Sequence, residues 1–150
     1  MRHTHKLLQV LCLSCLFLFA VGTRAESAQD FGDYVVHFNA LTTDLLPPKV
    51  AAEYKIKRSG NHALLNLVVL RKVLGAPGQP VAASVSGTAA PLTGVLRELD
   101  LREIREPNAI YYIADFPVAN EESLTFRLEV RPEGEKEAYK VQFRQQFYAR

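Results

Sequence analysis

From Ser123 to Tyr148 the chain alternates apolar and polar side chains through two runs separated by Pro132-Glu133-Gly134-Glu135. In the first run Leu124, Phe126, Leu128 and Val130 share one side, with Thr125, Arg127, Glu129 and Arg131 on the other. In the second, Tyr139, Val141, Phe143 and Phe147 alternate with Lys140, Gln142, Arg144 and Gln146. A period of two sustained this long excludes a helix, and the Pro/Gly segment between the runs has turn chemistry. The pattern predicts a long β-hairpin with one wet face. Such a hairpin is not stable alone, so the rest of the chain must supply a facing sheet.

The other end of the chain has a different character. Arg2, His3, His5 and Lys6 precede an apolar run from Leu7 to Val21, and Gly22-Thr23-Arg24-Ala25 follows it. That order predicts a secretory signal peptide, residues 1–25, cut after Ala25. The run is shorter than the roughly 20 residues that span a bilayer, so no stable membrane span is expected once it is removed. A retained N-terminal anchor is the alternative. Both cysteines, Cys12 and Cys15, fall inside this segment, so their spacing is not read as a redox or zinc motif. The remaining chain, 26–150, must hold together without a disulfide, and its length suits a single domain.

Processing also changes the charge. Loss of Arg2, Lys6 and Arg24 takes 18 basic residues to 15 against 16 acidic ones, a formal net of −1. The positive balance of the whole chain therefore belongs to its leader, and nucleic acid is not an expected partner.

Within 26–150, Glu26 to Asp33 is polar and reads as a loose lead. Seven strands are predicted, over 34–41, 63–73, 80–88, 97–105, 109–116, 123–131 and 138–149, with one short helix after the first, where Pro47-Pro48 opens Lys49 to Tyr54. The run Leu64 to Leu70 suits a central strand covered on both faces, and Gly75 to Pro80 reads as a loop. Residues 94–105 fit a helix or a strand, and strand is preferred because Pro107-Asn108 closes the segment. Seven short strands favour an all-β, antiparallel, immunoglobulin-like sandwich without the cysteine pair and tryptophan of antibody domains.

No constellation for catalysis emerges. His37 and His62 are the only histidines outside the leader, too few for a zinc or copper site in a chain without thiolates. Ser59 and His62 share one short turn, no Gly-x-Ser-x-Gly elbow occurs, and Glu103 and Glu106 alternate with arginines that will pair with them. No enzyme, metal or cofactor is expected.

The residues also carry a resemblance. Tyr34-Val35-Val36-His37-Phe38-Asn39-Ala40, Pro48-Lys49-Val50-Ala51, Arg58-Ser59, Arg102 to Glu106, Ala109 to Ile113 and the ending Phe143-Arg144-Gln145-Gln146-Phe147-Tyr148 resemble a family of small exported proteobacterial proteins catalogued as domain of unknown function 4426. The resemblance spans nearly all of 26–150 and implies a periplasmic, all-β protein with no established activity.

The expected function is a periplasmic binding module for a protein or another envelope component. A carrier of a small apolar ligand is the alternative, with a cavity between the sheets beside Ala82, Ala83, Ser84 and Ser86. Lys55, Lys57 and Arg58, with Ser59 and Asn61, are the candidate contact for an anionic partner. Arg71 and Lys72, roughly 26 Å away along a strand at about 3.3 Å per residue, cannot join them. Tyr111 and Tyr148 are the outward aromatics expected at a ligand or partner surface.

Overall fold

The structure, a computed structural model, describes residues 27–149. The expected signal peptide and its cleavage after Ala25 lie outside the described residues. In chain order the strands are β1 (Ser27–Phe31), β2 (Tyr34–Thr42), β3 (His62–Val73), β4 (Ala76–Pro80), β5 (Ala83–Pro91), β6 (Arg97–Glu98), β7 (Arg102–Glu106), β8 (Ala109–Pro117), β9 (Glu122–Pro132) and β10 (Tyr139–Phe147). A 3-10 turn at Thr43–Leu45 and helix α1 (Pro48–Glu53) connect β2 to β3. All pairing is antiparallel. One sheet runs β1-β2-β3-β8-β7 with β4 also on β3, and the other runs β10-β9-β5-β6.

The alternating C-terminal runs pair as expected, Val130 opposite Tyr139 and Phe126 opposite Phe143. Their turn closes through the Glu135 N–H to the Pro132 carbonyl at 3.0 Å. Inward rows from both sheets form one core, Tyr34, Val36, Phe38 and Ala40 of β2 facing Leu124, Phe126, Leu128 and Val130 of β9. At its centre Phe126 stacks on Phe143 with ring centroids 4.6 Å apart, and Phe143 stacks on Phe38 at 4.5 Å, so three aromatic rings bridge the sheets. The architecture is the all-β sandwich that the alternation predicts.

Three strands go beyond the seven expected. The lead folds back as β1 because the Asp30 carboxylate accepts the Gly32 N–H at 2.9 Å in a tight turn, and Phe31 then stacks on Tyr139 of the opposite sheet at 4.6 Å. The Gly/Pro stretch is not a loop. Leu74-Gly75 turns the chain into β4, an edge strand where Pro77 and Pro80 withhold no needed donor. The segment 97–105 is strand in two pieces: β6 pairs with β5 in one sheet and β7 with β8 in the other. The change of sheet occurs at Leu99 to Leu101, where buried Leu99 donates its N–H to the Gly87 carbonyl.

The small residues named for the alternative carrier reading do not share one surface: Ser84 and Ser86 are exposed, while Ala82 and Ala83 are half-buried. Where β5 faces the core its small residues are covered: Leu128 lies over Gly87 so closely that no Cβ would fit there, and Ala89 is fully buried opposite Phe126. Small side chains here admit large ones from the next strand and leave no void.

β3 is covered on both faces only over its first half. Ala63, Leu65, Leu67 and Val69 enter the main core, while Leu64 points outward into a second, smaller cluster with Ala51, Ile56 and Ile113.

Candidate functional site

The second cluster exists because of how α1 is held. Pro48 stands at the first helical position, where its missing N–H costs nothing. At the other end the Ile56 N–H reaches the Ala51 carbonyl at 2.8 Å and the Lys55 N–H the Ala52 carbonyl at 3.2 Å, the Schellman pattern, with Lys55 left-handed at φ +56°. This closure swings Ile56 back beneath the helix onto Leu64 and Ile113. Strand β7 adds a clamp from the far side, Arg102 donating to the Tyr54 carbonyl at 2.5 Å and the Tyr54 hydroxyl to the Glu106 carboxylate.

Helix and sheet do not close completely. Between them lies a cleft of about 310 Å³, walled by Leu46, Val50 and Tyr54 on the helix side and by Ile104, Tyr111 and Ile113 on the sheet side. Its volume is at the small end of ligand and side-chain pockets. Asn66 also lines it, and its Oδ1 is buried without a hydrogen-bond partner. A buried acceptor left unpaired costs about 1–3 kcal/mol, which a donor arriving in the cleft would recover. The arrangement can take an apolar group that carries an N–H or O–H.

The residues singled out in the sequence fall into three places. Tyr111 is in the cleft wall, and exposed Lys55 and Lys57 flank buried Ile56 at its rim. Arg58, Ser59 and Asn61 belong to the loop that braces the site. The Arg58 guanidinium donates to the Asp44 carbonyl at 2.7 Å, the Ser59 hydroxyl to Asn61 Oδ1 at 2.5 Å, and the Ser59 N–H to the Thr43 hydroxyl at 2.9 Å. Tyr148 lies apart, exposed at the end of β10, in a different cleft with Asp44. Sequence reasoning passed over Asn66. Its signal was available, a lone polar residue in Leu64-Leu65-Asn66-Leu67-Val68-Val69-Leu70. Ile56, Leu64 and Ile104 had no such signal, since only the fold brings them together.

Among the described residues no three side chains of His, Cys, Asp and Glu gather as metal ligands, and no helix is long and apolar enough to cross a membrane.

Comparison with known proteins agrees with this architecture. The crystal structure of a DUF4426 family protein from Pseudomonas aeruginosa superposes with a TM-score of 0.72 and is 34% identical, covering 85% of this chain and 98% of that one. FetP of uropathogenic Escherichia coli, isolated after recombinant expression in the periplasm, is similar at TM-score 0.57 and 11% identity, over 83% of this chain and 94% of its own. A copper-bound variant of FetP superposes equally well, over 84% and 97%. At 11% identity these two show a shared fold. No curated protein matches the sequence. The family described as domain of unknown function DUF4426 matches residues 28–150, and with the Pseudomonas relative it establishes that the chain belongs to that family.

Proposed function

We propose that this protein is a periplasmic, non-enzymatic binding module, and that the cleft beneath α1 holds an apolar residue of another exported polypeptide. The observation that carries the reading is Asn66 Oδ1, an unpartnered acceptor buried in a mainly apolar cleft whose other charged or amide side chain is Glu106. A peptide supplies both halves of the complement, an apolar side chain and a main-chain N–H beside it. Charge at the rim points to the flanking residues. Glu103 is paired with Arg105, and Glu106 takes the neutral Tyr54 hydroxyl and keeps its charge, so Lys49, Lys55 and Lys57 on α1 and its loop stand against Glu53 and Glu106. Acidic residues next to the apolar anchor complement that rim.

The leader-like N-terminus supports export, and FetP, of the same fold, was recombinantly expressed in the periplasm. Support for a non-enzymatic role comes from Ser59 and His62, the one sequence pair suited to nucleophile and base. The Ser59 hydroxyl is turned to Asn61 Oδ1, and the His62 ring nitrogen lies 3.2 Å from that same oxygen. Copper is not carried over from FetP, whose 11% identity shows the fold alone.

The test places a photoreactive aromatic amino acid at Tyr111 and crosslinks in the intact cell envelope. One discrete polypeptide adduct is expected. Asn66→Leu should abolish it while leaving stability unchanged or raised by about 1 kcal/mol, since it removes an unpaired buried acceptor. Crosslinking that survives Asn66→Leu would sink the proposal.

A further inference from the structure

A second concavity lies on another part of the molecule, at the seam between the two sheets. Among the described residues β1 covers β2 only from Tyr34 to Phe38, and β10 pairs on one side only, with β9. Two strand edges therefore run past each other, Asn39 to Thr42 on one and Gln145 to Phe147 on the other. With Asp44, Leu45 and Tyr148 they enclose about 500 Å³.

The Asp44 carboxylate is the charged group of this cleft, among the side-chain amides of Asn39, Gln145 and Gln146 and the Thr42 hydroxyl. Asp44 Oδ1 is buried and has no partner, and an ionised carboxylate can only accept. Arg58, the cation that reaches this turn, gives its N–H to the Asp44 main-chain carbonyl at 2.7 Å, and no ion pair forms on the carboxylate among the described residues. The Gln145 side-chain amide is spent on the Gln146 carbonyl at 2.8 Å, which leaves its oxygen. At the mouth, Tyr148 is 61% exposed. A carboxylate with one buried, unpaired oxygen and no ion pair, beside an exposed tyrosine, suits a compact cation with several N–H donors.

We propose that this seam cleft binds a protonated primary amine, its ammonium on Asp44 and its alkyl stem between Leu45 and Tyr148. An ammonium offers three donors and gains from a nearby aromatic face. The amine can be a free polyamine or a lysine side chain of another protein, and both present the same group.

Amide chemical shifts of the purified protein, followed during titration with n-butylammonium, butanol and butyrate, read the site directly. The ammonium ion at millimolar concentration should move the amides of 41–45 and 145–148, with no comparable response to the other two. Asp44→Asn should weaken binding at least about tenfold, the loss of one charge-assisted contact, with the unfolding midpoint unchanged. Gln145→Lys, which supplies a tethered ammonium, should block the site and serves as a second variant should Asp44→Asn unfold. Tighter binding of spermidine than of a blocked lysine peptide assigns a free amine, and the reverse assigns a protein side chain. An equal response to butanol, undiminished binding in Asp44→Asn, or saturable calcium binding in place of the amine would each overturn the proposal.

Discussion

Thr43 is completely buried, and its hydroxyl organises the loop beside the candidate site. It accepts the Ser59 N–H at 2.9 Å and lies 2.8 Å from the Lys57 carbonyl and 3.1 Å from that of Ser59, with one proton to share between them. Thr43→Val keeps the shape and strands those main-chain groups. We expect a loss of about 1–3 kcal/mol in urea unfolding, with faster hydrogen exchange at the Ser59 amide. Tyr112 is a second residue with a readable consequence. Its hydroxyl donates to Glu103 at 3.0 Å and accepts the Ala83 N–H at 2.7 Å. Burial pushes its pKa above the ordinary value near 10, and the hydrogen bond and charge of Glu103 reinforce the shift against the opposing Ala83 contact. A group whose folded pKa is raised contributes stability that is complete below its unfolded value and lost as pH climbs toward the folded one. Stability should therefore fall as pH rises above about 10, by up to about 1.4 kcal/mol per unit for this group, and Tyr112→Phe should remove that share of the slope. An identical slope in the variant would show that the phenol does not carry it.

At the scale of elements, α1 is six residues long and owes its place to its ends. Its closing residue, Lys55, is left-handed, a conformation that costs an L-residue roughly 1–2 kcal/mol and costs glycine little. Lys55→Gly should raise stability by about 1 kcal/mol in thermal unfolding, and a fall instead would mean that the lysine stem contributes packing. The gain would come with loss of a rim charge, so strain here accompanies the proposed binding surface. Elements also differ in how legible they are. β2, β9 and β10 could be read because each has a drier and a wetter face and the alternation reports both, and β8, covered on both faces at its centre, because it is rich in aromatic and branched residues. β1 and β4 could not, since an edge strand in polar or Gly/Pro sequence is stabilised by its partner's backbone and not by its own pattern. The split of 97–105 was hidden for a related reason. Leu99 belongs to the main core, but Ile104 packs against the outer cluster, so one apolar period serves two different surfaces.

For the whole molecule, charge is nearly balanced beyond the leader, yet Lys49, Lys55 and Lys57 gather at one rim. If that rim guides an acidic partner, Lys55→Gln with Lys57→Gln should leave the fold intact and lower the association rate most at low salt, with the difference shrinking as ionic strength rises and the Debye length falls from about 30 Å at 0.01 M to about 10 Å at 0.1 M. Arg58 is left in place because it holds the Asp44 carbonyl. Crosslinking at Tyr111 that is equally fast in the double variant at every salt concentration would remove the rim from the mechanism. By itself the sequence determined the all-β class, the hairpin, the inward rows of the main core and the short helix, because periodicity along a strand is a local property that one face of solvent imposes on each residue. Tertiary structure alone decided that Leu64, Ile104, Ile113 and Ile56 form a second cluster, that Asn66 lies within it unpaired, and that Asp44 meets Tyr148 across a seam. Those contacts join residues tens of positions apart through sheet order and strand register. Neither leaves a period in the chain, because pairing partners are chosen by the packed whole and not by any segment of it.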